Sequence, residues 1–383
     1  MFPLLRYRQT TRYPQYRCGA HPGVGDARRY RRRHLRPLLR PGDVCPCRAD
    51  PRMSKNRSPA RPPTEEPVQK TDRIAILGGG GFIGRALVRE LQNAGYSRLS
   101  VLGRSPVQKL AAGVEYRSGV DITRPETLAE ALDDASVVIN LAGLVSFARR
   151  DRHRLQDVNV HGAQHLLGAC SALPKLKRFV HLSSTAALGY ADHRIDEAHD
   201  FPWDQHLHLH YSRSKYLANA ALDASRVPTN IVFPPMVLGP GDTTTTARIF
   251  EYVRGKKRLV VPPGTNSFID VRDLAHALRL VLEQAEAKEN FIAASEAVRF
   301  RELFATAAEL VGRQPRIVEL PKLLHRPLHA LAWLGESVLR SLHAETVFLG
   351  FTRRIHNADK IRSLGWQPQY GLTETLQAYL AEA

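Results

Sequence analysis

Cysteine is nearly absent from most of this 383-residue chain: Cys18, Cys45 and Cys47 fall in the first seventy residues, and Cys170 stands alone beyond them. An internal disulfide is therefore excluded from residue 71 onward, which suits a reducing, cytoplasmic setting. Long hydrophobic runs are missing as well. No stretch approaches the roughly 18 uninterrupted apolar residues of a membrane-spanning helix, so the sequence reads as that of a soluble protein, with surface association left open. Acidic residues are scarce in the first seventy positions, which hold 17 Lys and Arg against 5 Asp and Glu. That segment carries +12 of the net +18 and leaves +6 for the remainder. A nucleic-acid role would rest on this tail alone, and specific nucleic-acid binding is not expected.

The same segment lacks hydrophobic periodicity. Rich in Arg, Pro and Tyr, with Arg31-Arg32-Arg33 uninterrupted, it buries too little surface to offset its ordering entropy and is expected to be a basic, disordered extension over 1–70. An apolar h-region is missing, which excludes a secretory signal peptide. Met53-Ser54-Lys55-Asn56 looks like an ordinary N-terminus, so residues 1–52 are open to reading as a mis-assigned start. Cys45-Pro46-Cys47 does not match the usual zinc-knuckle spacing, and no metal is expected.

What is present begins at Arg73-Ile74-Ala75-Ile76-Leu77, a short apolar run suited to a buried parallel strand, ended by Gly78-Gly79-Gly80-Gly81. Helical apolar spacing follows from Phe82. Gly78, Gly81 and Gly84, with Phe82 and Ile83 between them, make a G-x-x-G-x-x-G turn. It sets backbone N–H groups and a helix N-terminus against a pyrophosphate, so a dinucleotide is the expected cofactor. The next strand, Leu99–Leu102, runs into Gly103-Arg104-Ser105. Gly103 stands where an acidic side chain would hold the ribose 2′-OH of NAD, and Arg104 beside it can receive a 2′-phosphate, so NADP is preferred over NAD.

Two more strands are read over Val137–Gly143 and Arg178–Thr185, the second delivering Ser183, Ser184 and Thr185 to the carboxyl edge where ligands lie. Downstream stands Tyr211-Ser212-Arg213-Ser214-Lys215, before a helix-compatible run. A spacing of four puts Tyr211 and Lys215 on one helix face, where an ammonium can lower a phenol's pKa and the phenol can exchange a proton. Tyr252 and Lys256 repeat the spacing, but with Gly255 inside it and no Ser-rich strand end before it, so that match is read as coincidence.

These pieces resemble the extended short-chain dehydrogenase/reductase superfamily, also called the NAD-dependent epimerase/dehydratase superfamily, over roughly residues 73–383. The matching pieces are GGGGFIG at 78–84, VDI at 120–122, NLAG at 140–143, HLSSTAALG at 181–189, YSRSK at 211–215, PPMVLGPGD at 234–242, FIDVRDLA at 268–275 and LGWQP at 364–368. The resemblance implies that Tyr211 is the catalytic acid/base, Lys215 its partner and a ligand of the nicotinamide ribose, and Ser184 the hydroxyl that polarises the substrate oxygen, with Ser183 or Thr185 as alternatives. It further implies that Asp121 and Ile122 flank the adenine, Leu141 and Ala142 line the cofactor cleft, and Pro234 and Pro235 lie near the nicotinamide.

The expected fold is α/β: a Rossmann doubly wound parallel sheet with a smaller, discontinuous C-terminal substrate-binding subdomain. Residues 71–235 would form the dinucleotide-binding domain and 236–383 mainly the substrate subdomain, with 268–295 returning to the Rossmann core. Locally the chain looks most like the dihydroflavonol-reductase-like and 3β-hydroxysteroid-dehydrogenase-like branch, although Phe233 stands where Arg is common and Asn219 where Glu is common. That branch implies hydride transfer between nicotinamide and a carbonyl or hydroxyl of a hydrophobic small molecule. The alternatives are a sugar-nucleotide epimerase or dehydratase with tightly bound NAD(P), or a non-catalytic NADP-binding scaffold; a homodimer is a family-level expectation. Over residues 319–343, Leu323, Leu324, Leu328, Leu331, Leu334, Val338, Leu339 and Leu342 recur at helical spacing among Lys322, Arg326, Glu336 and Arg340. This is read as a subdomain helix packed on its neighbours, with a peripheral membrane face as the alternative.

Overall fold

The structure is a computed structural model, which describes residues 66–106, 111–335 and 343–382. The basic extension through residue 65 lies outside the described residues, together with Cys18, Cys45, Cys47 and Met53. Val68 packs on the main core, and Lys70 ion-pairs with Glu283.

Seven short strands form one parallel sheet: β1 (Ile74–Leu77), β2 (Leu99–Leu102), β3 (Glu115–Arg117), β4 (Val137–Asn140), β5 (Arg178–Leu182), β6 (Thr229–Phe233) and, later in the chain, Asn290–Ile292. The last strand lies beside β6, and the order continues through β5, β4, β1 and β2 to β3. All four residues of β1, β2 and β4 are buried, as continuous apolar runs in a sheet covered on both faces require. Winding proceeds from β1 toward β3 in one direction and from β4 toward β6 in the other. Right-handed crossovers therefore put α1 (Phe82–Asn93) and α2 (Gly162–Ser171) on opposite faces and leave a crevice between the carboxyl ends of β1 and β4. This is the doubly wound arrangement expected.

Two strands end earlier than the apolar pattern predicts. After Asn140 the chain leaves the sheet because Asn140 Oδ1 turns back to accept the Ala142 N–H at 3.0 Å, so Leu141, Ala142 and Gly143 belong to the loop. After Leu182, Ser184 begins a 3-10 turn over Thr185–Leu188 and accepts the Ala186 N–H on its own hydroxyl.

A second core is built around β7 (Met236–Leu238), β8 (Arg258–Val261) and β9 (Thr265–Asp270), with Phe250 and Phe268 at its centre. Here β9 pairs with β7. The chain then re-enters the first layer: β9 ends at Asp270, whose side chain caps helix Val271–Gln284, which packs on α1 before strand Asn290–Ile292 joins β6. The LGWQP piece docks there. Trp366, fully buried, donates from its indole to the Asp273 carbonyl, and the Asp273 carboxylate accepts the N–H groups of Gln369 and Tyr370.

The apolar pattern over 319–343 is not one helix. A strand ends at Glu319, Pro321 opens a 3-10 turn, and the helix runs over His325–Gly335; Glu336, Val338, Leu339, Arg340 and Leu342 lie outside the described residues. Among the described residues no helix is long and apolar enough to cross a membrane.

Candidate active site

The glycine turn is held open by backbone geometry. Gly78 sits at φ +78°, and a Cβ there would lie 3.0 Å from the Ala142 nitrogen; at Gly84 it would lie 2.4 Å from the Gly79 Cα. Side chains at either position would push the turn away from Leu141-Ala142 or the helix away from the turn. Gly81 is the N-cap of α1, with no side-chain cap and no acidic residue in the first turn. The N–H groups opening α1, from Phe82, Ile83 and Gly84, thus present uncompensated positive potential at the crevice, which fits a pyrophosphate.

At the end of β2, Gly103 lies against the tip of a neighbouring side chain. A Cβ on Gly103 would lie 2.9 Å from the Tyr116 hydroxyl, which is fixed by donating to the Ser105 carbonyl. Arg104, beside it, is exposed. Asp121 uses its carboxylate internally: Oδ1 accepts the Thr123 N–H at 2.9 Å and the Thr123 hydroxyl at 2.8 Å. Ile122 is buried against Gly162.

Catalytic candidates converge at the ends of β4, β5 and β6 on helix α3 (His210–Asp223). Lys215 Nζ donates to the Leu182 carbonyl at 3.1 Å, and a Cβ on Gly143 would come within 3.3 Å of it. Leu141, Ala142 and Gly143 thereby connect the glycine turn to Lys215. Burial pushes the Lys215 ammonium down to about 8. Pro234, followed by half-buried Pro235, accepts the Thr185 N–H at 2.9 Å and ties β6 to the Ser184 turn. Tyr211 is buried among Leu144, Phe147, Leu155 and Ala186, with the Phe147 ring meeting it edge-on at 5.4 Å. Its phenol is pushed up to about 12 by burial, with a hydrogen bond to Ser184 acting the other way. The lowering expected from Lys215 is not realised here: desolvation dominates, and the phenol is held neutral. Among the three hydroxyls it is Ser184 that opposes the rise of the Tyr211 phenol, whereas Ser183 Oγ is buried without a hydrogen-bond partner.

Two further residues escaped sequence reasoning. Asn159, in a π-helical stretch over Gln156–His161, accepts the Leu144 N–H at 2.8 Å and donates to the Leu144 carbonyl and to Ser214 Oγ at 3.0 and 2.9 Å. It clamps the loop after β4 onto α3, in the kind of helical irregularity that recurs at functional sites. Glu345, on helix Ala344–Phe351, accepts the Tyr211 and Ser212 N–H groups at 3.1 and 3.0 Å and the Ser212 hydroxyl at 2.8 Å. It supplies the N-terminal cap that α3 lacks locally, and the Arg354 charge partly offsets its burial. Tyr252, by contrast, exchanges hydrogen bonds with the Val260 backbone, and Lys256 lies over its ring, so the second Tyr-Lys match is structural.

Comparison with known proteins agrees with this geometry. The chain is 30% identical over 260 residues to 2-alkyl-3-oxoalkanoate reductase of Stenotrophomonas maltophilia, covering 64% of this chain and 77% of that protein. It is 25% identical over 334 residues to 3-beta-hydroxysteroid dehydrogenase of Mycolicibacterium neoaurum, covering 80% and 90%. The fold is similar to the crystal structure of gox2253, with a TM-score of 0.69 at 24% identity over 82% of this chain and 98% of that one. The sequence model of the NAD dependent epimerase/dehydratase family matches residues 74–294, more than half of the chain. The protein is therefore an NAD(P)-dependent enzyme of the NAD-dependent epimerase/dehydratase family, the extended short-chain dehydrogenase/reductases.

Proposed function

We propose that this enzyme reduces a carbonyl on a hydrophobic small molecule, using NADPH, with Tyr211 as proton donor. The observation that carries this reading is the setting of Tyr211: an apolar wall of Leu144, Phe147, Leu155 and Ala186 around the phenol, with Ser184 acting on it as a polar neighbour. A neutral phenol is a donor at neutral pH, which suits reduction. When bound, the nicotinamide supplies the hydride. Tyr211 then gives its proton to the oxygen that becomes alkoxide, and Ser184 holds the same oxygen through its hydroxyl. Lys215, four residues along α3, holds the cofactor ribose by its ammonium. The names of the two relatives, a ketoacid-type reductase and a steroid dehydrogenase, support a hydrophobic substrate.

NADPH oxidation against long-chain 3-oxo acids, ketosteroids and aromatic aldehydes tests the proposal, with UDP-sugars as the opposing arm. Conversion of UDP-sugars, with silence on every carbonyl, would overturn it.

Cofactor choice rests on Gly103 and Arg104. Loss of the Arg104 charge should remove a charge-assisted bond to the 2′-phosphate, typically about 1.5–3 kcal/mol. Arg104→Ala is expected to weaken NADPH binding by about 10- to 100-fold and to leave NADH unchanged, as read by fluorescence titration. Equal losses for both cofactors would reject the assignment.

The Lys215 shift predicts a pH profile. A lysine lowered to about 8 keeps its charge at pH 7 and loses it as pH rises through 8. NADPH affinity should accordingly fall between pH 7.5 and 9, roughly tenfold per unit beyond the pKa; a flat profile to pH 10 would refute the role.

A further inference from the structure

Helix His325–Gly335 is apolar on two sides. Leu328 and Ala332 face inward onto Ala344, Val347 and Phe351, while His325 packs on Phe351 and His329 on His208. On the outer side Leu331 and Leu334 are 51% and 78% exposed, and Leu323, in the preceding turn, is 78% exposed. Positions 327, 331 and 334 are separated by four and three residues, the spacing of one helical stripe; Pro327 is exposed with the two leucines, and Leu323 lies in the turn just before. An inward face is enough to hold a helix in place. A second, outward stripe of leucine has no role in that packing.

The charge around this stripe is predominantly basic, with Glu319 and Glu336 flanking it in sequence. Residues 320–335 contain Lys322 and Arg326 and no Asp or Glu. The Arg149 guanidinium lies 4.3 Å from the centre of the Trp333 ring, which brings the segment 149–154, four Arg with one Asp, against the same helix. Arg150 and Arg152 there are exposed, and Arg154 pairs with Asp151 at 3.3 Å. Two residues before Arg149 is Phe147, the ring that meets Tyr211. The stripe therefore adjoins the mouth of the site.

We propose that this face docks on an anionic lipid surface, with Leu323, Leu331 and Leu334 entering the acyl boundary and Lys322, Arg326, Arg150 and Arg152 meeting the phosphates. A second copy of the chain is the poorer occupant. A two-fold contact would set the same predominantly basic face of each copy, with Arg150 and Arg152, against the other. The inference does not depend on the substrate reading, because the apo protein tests it.

The full chain would be mixed with phosphatidylcholine vesicles, with and without phosphatidylglycerol, carrying brominated acyl chains. Trp203 and Trp366 are 5% and 0% exposed, so Trp333, at 38%, is the tryptophan within reach of bromine. Quenching is expected on phosphatidylglycerol vesicles and should vanish in Trp333→Phe. The double variant Leu331→Glu/Leu334→Glu, checked for wild-type unfolding, should partition at least about tenfold more weakly, and Lys322→Glu/Arg326→Glu should lose the dependence on phosphatidylglycerol. Any of three results would overturn the proposal: no binding to either vesicle; binding without quenching of Trp333, which would assign the attachment to the basic N-terminal segment; or unchanged vesicle binding while Leu331→Glu/Leu334→Glu turns a dimer into a monomer in sedimentation velocity.

Discussion

Tyr211→Phe is expected to lower turnover by about 10²- to 10⁴-fold, the usual contribution of a positioned acid or base, while NADPH affinity and the unfolding midpoint stay near wild type. The separation of effects follows from the packing. Phenylalanine keeps the ring against Leu144, Leu155 and Ala186 and the edge contact with Phe147, so the apolar cluster is preserved. Only the hydroxyl is lost. Its departure does not orphan Ser184, whose Oγ still accepts the Ala186 N–H at 3.2 Å. A change confined to the transition state lowers kcat and kcat/KM together, and single-turnover NADPH oxidation with excess enzyme would read it directly. Turnover within about threefold of wild type would show that another group moves the proton. Lys215→Met should behave differently, since Lys215 sits between Gly143 and Leu182 on the cofactor side and its loss should weaken NADPH binding as well as rate.

Features legible in the sequence are those whose cause is local. The β1 run, the glycine turn and α1 follow one another within twenty residues, so period and punctuation are enough to place them. Tyr211 and Lys215 are legible because a helix brings residues four apart together. Strand ends were not, because Asn140 and Ser184 stop their strands by side-chain bonds to the next turn, which an apolar pattern does not record. Asn159 reads as a polar residue in Gln156–His161, and its role arises only where the π-helical stretch meets Leu144 and Ser214. Glu345 was hidden further still. In Ala344–Phe351 it is the single charge of an apolar helix, a pattern that ordinarily marks a solvent-facing position, and its partners are 133 and 134 residues earlier. The outward stripe of His325–Gly335 shows the converse: leucine on both sides of a helix does not reveal which side the fold covers.

Glu345→Ala should destabilise the fold by about 1–3 kcal/mol, the cost of leaving buried donors without their acceptor. Glu345 is 2% exposed, and Arg354, whose charge acts on it, is 8% exposed with Nε lacking a hydrogen-bond partner. Alanine would uncap the Tyr211 and Ser212 N–H groups. The Glu345 carboxyl is raised from 4.5 to about 7, chiefly by burial, with the bonds from Ser212 and Tyr211 opposing. A carboxyl raised on folding contributes stability that is full below about pH 4.5 and is lost as pH climbs through about 7. Wild-type urea midpoints should accordingly fall from pH 5 to pH 7.5, and Glu345→Gln, which keeps an accepting oxygen but cannot titrate, should flatten that slope. The functional consequence follows from where the cap lies. The first turn of α3 carries Tyr211, and a displacement of about 1 Å at a reacting group can cost about 10²-fold in rate. Glu345→Gln should therefore retain more turnover than Glu345→Ala at equal fraction folded. Equal turnover in the two variants would mean that Glu345 holds the fold together without positioning the tyrosine.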